Sequence, residues 1–485
     1  MTERARTWTG ALASSGFGCA LYIAAVSVGF FSDDYQWLGR MNATLERPSY
    51  VFTVFFRDFN PVLHASFGLD WILGGAHPAV WHADSILLHG VASGLLFLLC
   101  SRLGAPFWVA LAGSALWAAN VRLSEAVIWP AARGHQLAAL CSLAALVLLL
   151  GRGHHRRWLA LALLAAGLFA KETTLFAMLA IPFFLPQWRR ERAFLASLAG
   201  LGAGFVLLNV LIKDDLHTSG AGAVALLLKT PFILLRPLGL GDYARFDWLT
   251  LILTAVAFAA AAYGLRRGPG LAGLLWVLAC SAPIVPLEKL SSRYLYLPAI
   301  GYTVVFCAAC MALQPLLRTP ALARLVRASV AVAVASLLLG NGLLIQREIG
   351  DYRLLAKPYT RLLENVSAGL AGIQTGDTFL VVDASPNTTI GELAAAIRER
   401  GNITKLIPYR RHAIDGLIEL PDLLNVARPR EPGLLGSPVT SADDASIRWF
   451  RYDGLGLIET TPRTGVPPER VHRAAWDDAA TYFER

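Results

Sequence analysis

Two adjacent carboxylates, Asp33 and Asp34, stand where a long apolar run stops, in the stretch FFSDDYQWLGRM (30–41). An acid pair at the mouth of an apolar helix is costly to place unless water, a cation or a substrate meets it. Alone, the stretch has two readings: the point where the first helix meets water, or the catalytic end of a membrane enzyme. Five further polar clusters bear on the choice. They are FRDFNPVLH with Arg57 and His64, WHADSILLH with His82 and His89, and NVRLSEAVIWPAARGHQ with Glu125, Arg133 and His135. FAKETT follows with Lys171 and Glu172, then PLEKLSSRYLYLP with Glu288, Lys289 and Arg293.

The chemistry open to such a set is specific. A carboxylate at an aqueous membrane surface can take a proton from an acceptor hydroxyl. Lysine and arginine at helix ends hold a departing phosphate, arginine by a two-pronged contact and lysine as a point charge. Together they would activate a nucleophile and stabilise the leaving group. Each cluster taken singly also serves as an interfacial anchor; a shared polar cavity requires that all six lie on one face.

The elements that must position them are read from hydropathy. With 55% hydrophobic and 16% charged residues and a mean hydropathy of +0.51, the chain reads as a polytopic α-helical membrane protein. Runs of the roughly 20 apolar residues that span a bilayer fall at about 9–31, 81–101, 104–119, 134–151, 158–171, 173–187, 193–212, 248–265, 270–286, 298–315 and 324–346, which makes about eleven helices. Lys171 and Glu172 interrupt the stretch 158–187, and charge placement favours two helices there. Inner loops then carry Arg102, Arg152, Arg156, Arg157, Arg189, Arg190, Arg192, Arg266, Arg267, Arg318, Arg324 and Arg327, with Glu191 as their one acid. All six polar clusters map to the opposite, outer face. This topology puts the N-terminus in the cytoplasm, with the first helix retained, and the C-terminus outside.

The first outer segment, about 32–80, carries amphipathic pieces, YVFTVFFRDF and LHASFGLDWIL, expected to lie on the membrane as interfacial helices. From about 347 to 485 the composition changes. DTFLVVDAS and RWFRYDGLGLIE read as strands and IGELAAAIRERG as a helix, giving a small extramembrane α/β domain (347–485) beside a transmembrane domain (1–346). The net charge of +9 belongs to the loops of a membrane protein; no basic helix with interleaved aromatics points to nucleic acid. The six cysteines lie in or at the ends of apolar runs and imply no disulfide framework.

Five segments in order carry a resemblance: SDDYQWL after the first helix, FNPVLHASFGLDWILGGAHPAVWHADSILLHGVASGLLFLL, SEAVIWPAARGHQLAALCSLAAL, LFAKETTLFAMLAIPFFL and IVPLEKLSSRYLYLPAIG. Over about residues 9–346 the chain resembles the GT-C superfamily of membrane glycosyltransferases. Within it, the chain looks like the transmembrane O-mannosyltransferases that carry tetratricopeptide repeats and their bacterial relatives. The resemblance implies a polyprenyl-phosphate-linked sugar donor, transfer outside the cytoplasm with inversion, and a bacterial inner-membrane location with a periplasmic tail. By position, it makes Asp34 or Asp33 the base, with Asp34 favoured, and Glu125 a second acid that orients the acceptor or helps hold a divalent metal ion. Lys171 and Arg293 would meet the donor phosphate, supported by Arg133 and His135, and His135 and Glu172 join Glu125 as candidates for the acceptor side or second acid. No repeat array follows the membrane region and the tail matches nothing in the family, so a glycan, a lipid or a protein acceptor all stay open. The competing reading is a membrane transporter or lipid flippase. Such proteins place ionisable groups near the midplane on interrupted, repeated helices; here the charges sit at helix ends.

Overall fold

The structure is a computed structural model that describes residues 2–34, 58–151, 153, 155–186, 188–212, 268–285, 291–316 and 319–369, short pieces between 37 and 55, and four strands further on. Backbone contacts divide the chain into two compact units, Met1–Val26, Val51–Ser66 and Ala79–Gly350 on one side, and Ser27–Tyr50, Phe67–Pro78 and Asp351–Arg485 on the other.

The described helices are α1 (Glu3–Tyr22), α2 (Pro61–Gly74), α3 (Pro78–Arg102), α4 (Phe107–Ala118), α5 (Ser124–Ile128), α6 (Arg133–Leu149), α7 (His155–Ala170), α8 (Thr174–Phe184), α9 (Arg192–Ile212), α10 (Gly268–Ser281), α11 (Pro298–Leu313) and α12 (Pro320–Gly369). Their boundaries follow local chemistry. Proline stands at the first position of α2, α3, α11 and α12, where its missing N–H costs nothing. Gly104, with φ +91°, lets the chain leave α3 in the left-handed region and turn into α4.

Among the described residues, five stretches are long and apolar enough to cross a membrane: Glu3–Ser27, Pro78–Arg102, Pro130–Leu149, Arg192–Ile212 and Pro320–Lys357. Helices α4, α8, α10 and α11 are apolar but shorter. The expected span at 248–265 lies outside the described residues. The break expected at Lys171–Glu172 is present, with α7 ending at Ala170 and α8 starting at Thr174. Where YVFTVFFRDF was expected to form an amphipathic helix, its described residues take part in a short 3-10 turn (Pro48–Phe52) and an isolated bridge between Phe55 and Asp58. The β-branched and aromatic residues of that piece favour extended backbone.

In the first unit, α3 and the stretch 130–149 form the centre. The most apolar windows there are 67% and 72% buried, against 17% in α9 and 6% in α12. Lipid tails offer helices no hydrophobic reason to associate, so close packing of small residues has to supply it. Gly90 and Gly94 of α3 face Ala11, Ser15 and Cys19 of α1 so closely that a Cβ on Gly90 would stand 2.8 Å from the Ser15 carbonyl oxygen, and one on Gly94 2.9 Å from that of Ala11. Between them, the Ser14 hydroxyl meets Ser93 Oγ at 2.7 Å and Ser114 Oγ of α4 at 2.9 Å. Helix α12 is tied to this core where Gln346 donates to the Leu21 carbonyl at 2.8 Å and the Val121 N–H donates to Asn341 at 3.3 Å.

The second unit contains the acid pair and a four-stranded sheet. Strands β1 (Thr378–Val382), β2 (Lys405–Ile407), β3 (Ile447–Tyr452) and β4 (Leu457–Thr460) run in the order β2-β1-β3-β4, with β1 parallel to both β2 and β3 and β4 antiparallel to β3. The helix expected at 390–401 lies outside the described residues. Helix α12 runs through position 346, where the expected domain boundary fell. Near the N-terminal part of this unit, the buried Arg40 donates to the Tyr50 carbonyl at 2.8 Å, and the Trp37 ring packs on Phe67 with centroids 4.7 Å apart.

The α1–α3 contact yields a prediction. Replacing Gly90 by Leu should force the helices apart and destabilise the fold by about 1–3 kcal/mol, the usual range for overpacking. Thermal unfolding in detergent checks this; a midpoint equal to wild type would show that the contact does not hold the helices together.

Candidate active site

The first turn of α6, Arg133-Gly134-His135, is where the polar residues of the first unit meet. Each of the three side-chain positions points to a different neighbour.

Arg133 is fully buried. Its Nε donates to Ser85 Oγ at 3.3 Å, Nη1 to Ser66 Oγ at 3.0 Å, and Nη2 to the Trp81 carbonyl at 2.8 Å. Nη1 also pairs with Asp84 at 3.2 Å. A guanidinium has five N–H donors in a fixed fork, and here they join α6 to α2 and α3. Arg133 therefore acts in this structure as a strut that sets the position of the turn.

Gly134 allows a close approach. A Cβ there would stand 3.1 Å from the Ala170 carbonyl oxygen and 3.6 Å from Cδ of Lys171. The missing side chain lets the end of α7 and the stem of Lys171 lie against α6. Lys171 Nζ pairs with Asp58 at 2.8 Å and with Glu172 at 2.9 Å. Lys171 lies in the break between α7 and α8, outside both helices. Burial pulls its pKa down, but the charges and hydrogen bonds of Glu172 and Asp58 outweigh that and hold the ammonium above the ordinary lysine range.

His135, also buried, meets the ring of Tyr294 edge to face, with centroids 5.4 Å apart. Its imidazole lies within electrostatic reach of both Lys171 and Arg293. Through this ring, two cations distant in sequence share one neighbourhood.

Arg293 stands on the 3-10 turn Ser292–Leu295, and that turn is pinned from several sides. Glu125, in the first turn of α5, accepts from Arg293 Nη1 at 3.2 Å and from its backbone N–H at 3.1 Å, and also from the Ser291 hydroxyl. The guanidinium lies over the Trp129 ring, 4.6 Å from its centroid. Just beyond the turn, Trp276 Nε1 donates to the Leu297 carbonyl at 2.8 Å. The Tyr296 hydroxyl meets His89 Nδ1 at 2.7 Å. His89 Nε2 faces the Ala118 carbonyl at 3.1 Å, which accepts only, so Nε2 carries the proton and Nδ1 accepts from Tyr296. His89 is thus a buried brace for the Arg293 turn.

These contacts define what the sequence-derived candidates do. Lys171, Glu172, His135, Arg293 and Glu125 come together around the α6 turn, and Arg133 supports them. Both oxygens of Glu125 are already engaged by Arg293 and Ser291, so a divalent ion at Glu125 would have to displace them. Among the described residues, no three His, Cys, Asp or Glu side chains stand close enough together to hold a metal ion. Arg57, Glu288 and Lys289 lie outside the described residues. Asp58 and Asp84 were not singled out from the sequence, although both lie inside the quoted clusters. An acid flanked by Arg57 and an Asn-Pro pair was the available signal for Asp58.

Asp33 and Asp34 belong to the second unit. Ser32 adopts φ +51°, and this tight turn lets the Asp34 N–H donate to the Phe31 carbonyl while the Asp34 carboxylate accepts from the Phe31 N–H, both at 3.2 Å. Asp34 is fully buried, whereas Asp33 is half-buried and its carboxylate accepts from Ser32 Oγ at 3.4 Å. The two neighbours therefore have different environments, as successive residues of a turn should.

The Lys171 environment can be tested chemically. Its raised pKa means that the charged form is favoured until pH rises through that higher value, and only the neutral amine undergoes reductive methylation. At about pH 9, below the ordinary lysine pKa, Lys171 should react more slowly than the exposed Lys357, and Asp58→Asn should speed Lys171 alone. Equal Lys171 rates in wild type and variant, read by peptide mass spectrometry, would contradict the pairing.

No protein-family model matches the chain. Parts of it are similar to known proteins. Protein O-mannosyl-transferase Tmtc2 of Drosophila melanogaster is 35% identical over 137 residues, 26% of this chain and 15% of that protein. Protein O-mannosyl-transferase Tmtc1 of the same organism is 28% identical over 184 residues, 34% of this chain and 21% of that protein. Protein O-mannosyl-transferase tmtc2 of Xenopus laevis is 30% identical over 131 residues, 24% of this chain and 15% of that protein. These matches span 15% to 21% of the relatives' own length. The chain is therefore similar in part to proteins named as O-mannosyl-transferases, and it carries helices long and apolar enough to cross a membrane.

Proposed function

We propose that this protein is a membrane glycosyltransferase of GT-C architecture that moves a sugar from a polyprenyl-phosphate-linked donor to a hydroxyl on a glycan, lipid or protein acceptor. The observation that carries this reading is the meeting of Lys171 and Arg293 around His135, in a chain partly similar to O-mannosyl-transferases. Two cations in one neighbourhood suit a departing phosphate.

In this mechanism a carboxylate of the Asp33–Asp34 pair takes the proton of the acceptor hydroxyl. The freed oxygen attacks the anomeric carbon, the bond from that carbon to the phosphate oxygen breaks, and the sugar is transferred with inversion. The polyprenyl phosphate leaves with its electron pair, and Lys171 and Arg293 balance its charge. Asp34 is favoured over Asp33 by the position that the resemblance gives it, and the Phe31 N–H holds its carboxylate in the turn. Before donor arrives, Asp58, Glu172 and Glu125 keep the two cations in place; the phosphate competes with them for the same N–H groups. His135 packs beside both cations, and Arg133 sets the turn that carries it.

The arginine distribution supports a cytoplasmic N-terminus, with the reaction at the outer, periplasmic face of a bacterial inner membrane. In this topology about eleven helices form the transmembrane domain of 1–346, and 347–485 is a periplasmic α/β domain.

The test is transfer of radiolabelled mannose from polyprenyl phosphate in membranes containing the protein. Wild type should yield a labelled product. Asp34→Asn should slow transfer by roughly 10²–10⁴-fold, the usual contribution of a general base. Lys171→Met and Arg293→Gln should each slow it about tenfold to a hundredfold, as expected for a lost charge-assisted hydrogen bond. Full transfer by Asp34→Asn would move the role to Asp33 or remove it from the pair. Full transfer by both cation variants would refute the phosphate site.

A further inference from the structure

At the other ends of these helices the first unit carries a second basic region, which the reaction does not use. Arg102 lies in the last turn of α3 and Arg156 in the first turn of α7. The two guanidinium groups are within electrostatic reach of each other. Arg156 folds over the end of α6, so close that a Cβ on Gly151 would meet its Nη1 at 1.9 Å. Among the described residues, neither Arg102 nor Arg156 has a hydrogen-bond or ion-pair partner for its side chain. The neighbouring acid, Glu191, is already bonded to Arg157. Two like charges held together without a counter-ion repel each other, and an anion between them removes that repulsion.

The surroundings specify which anion. Trp108 at the start of α4 and Trp158 in the first turn of α7 are 70% and 69% exposed. Arg6 of α1 lies over the Phe107 ring at 4.8 Å, which places the start of α1 at the same end as the start of α4. Exposed tryptophans and arginines at the same ends of apolar helices are the composition of a headgroup-level belt. Indole rings settle at that depth, with the apolar body toward the acyl chains and the N–H toward the headgroups.

We infer that Arg102 and Arg156 form a binding site for the phosphate of an anionic phospholipid, at the headgroup depth that the exposed Trp108 and Trp158 mark at the same helix ends. The site is independent of the proposed reaction. It lies at the end of the helices where α3 finishes and α7 begins, whereas Lys171 lies where α7 finishes.

The experiment uses the full chain purified in a neutral detergent, with phosphatidylglycerol as probe and phosphatidylcholine and inorganic phosphate as the other arms. Phosphatidylglycerol should raise the thermal midpoint, phosphatidylcholine should not, and inorganic phosphate at equal concentration should give little or no shift. The double variant Arg102→Gln, Arg156→Gln should bind phosphatidylglycerol about twenty-fivefold more weakly, from roughly fivefold per arginine near an anionic headgroup, with a lipid-free midpoint no lower than that of wild type. If the double variant does not fold, the exposed Arg102→Gln alone should lose about fivefold. An undiminished response in whichever variant folds would overturn the inference. An equal shift with inorganic phosphate would overturn the lipid as its ligand.

Discussion

A wholly buried guanidinium has to be satisfied on all sides, and around Arg133 that requirement fixes the geometry of the first unit. Its partners come from α2, from the backbone of α3 at Trp81, and from Ser85 and Asp84 one turn on. Removing such a charge from its acid leaves an uncompensated group behind, which typically costs about 3–5 kcal/mol. The α6 turn is therefore held at one position. Gly134 and His135, the next two residues, inherit that position, and through them so do Lys171 and the face presented to Tyr294.

The same logic of compensation runs through the Arg293 turn. Its cation is long and its backbone segment short, so it needs braces from outside. Glu125 supplies three contacts, Trp129 an aromatic face, and the His89–Tyr296 bond a link to the buried face of α3. A polar bond such as His89–Tyr296 is strong where water is excluded. The helices around it pack through glycine and serine, which bring backbones close without relying on a hydrophobic effect that lipid does not provide. Small residues between helices and large polar residues at their ends divide the work: the first set holds the bundle, and the second arranges its polar end.

Much of this was readable from composition and order. Apolar runs predicted the described membrane-length helices, and the Lys171–Glu172 interruption predicted the break between α7 and α8. The polar clusters were visible as residue types, and five candidates drawn from three of them do meet around one turn. What could not be read was each residue's task. Arg133 and Arg293 look alike in sequence, yet the first is enclosed as a strut and the second lies on a braced surface turn. His89 stood out as a candidate, and the structure makes it a core brace. Asp58 passed as part of an amphipathic segment, and the structure makes it the partner of Lys171.

By itself, then, the sequence determined the class of the protein, where most of the described apolar helices begin, and where the run 158–187 breaks. Those properties are local: hydropathy sums over neighbouring residues, and proline, glycine or a charge pair acts on its own turn. The tertiary structure alone decided the pairings. Glu125 meets Arg293 across 168 positions, and Lys171 meets Asp58 across 113. Whether a cation is enclosed, braced or left facing a headgroup depends on which helix packs beside it, and that is set by close contacts such as those of Gly90 and Gly134, which no periodicity along the chain encodes.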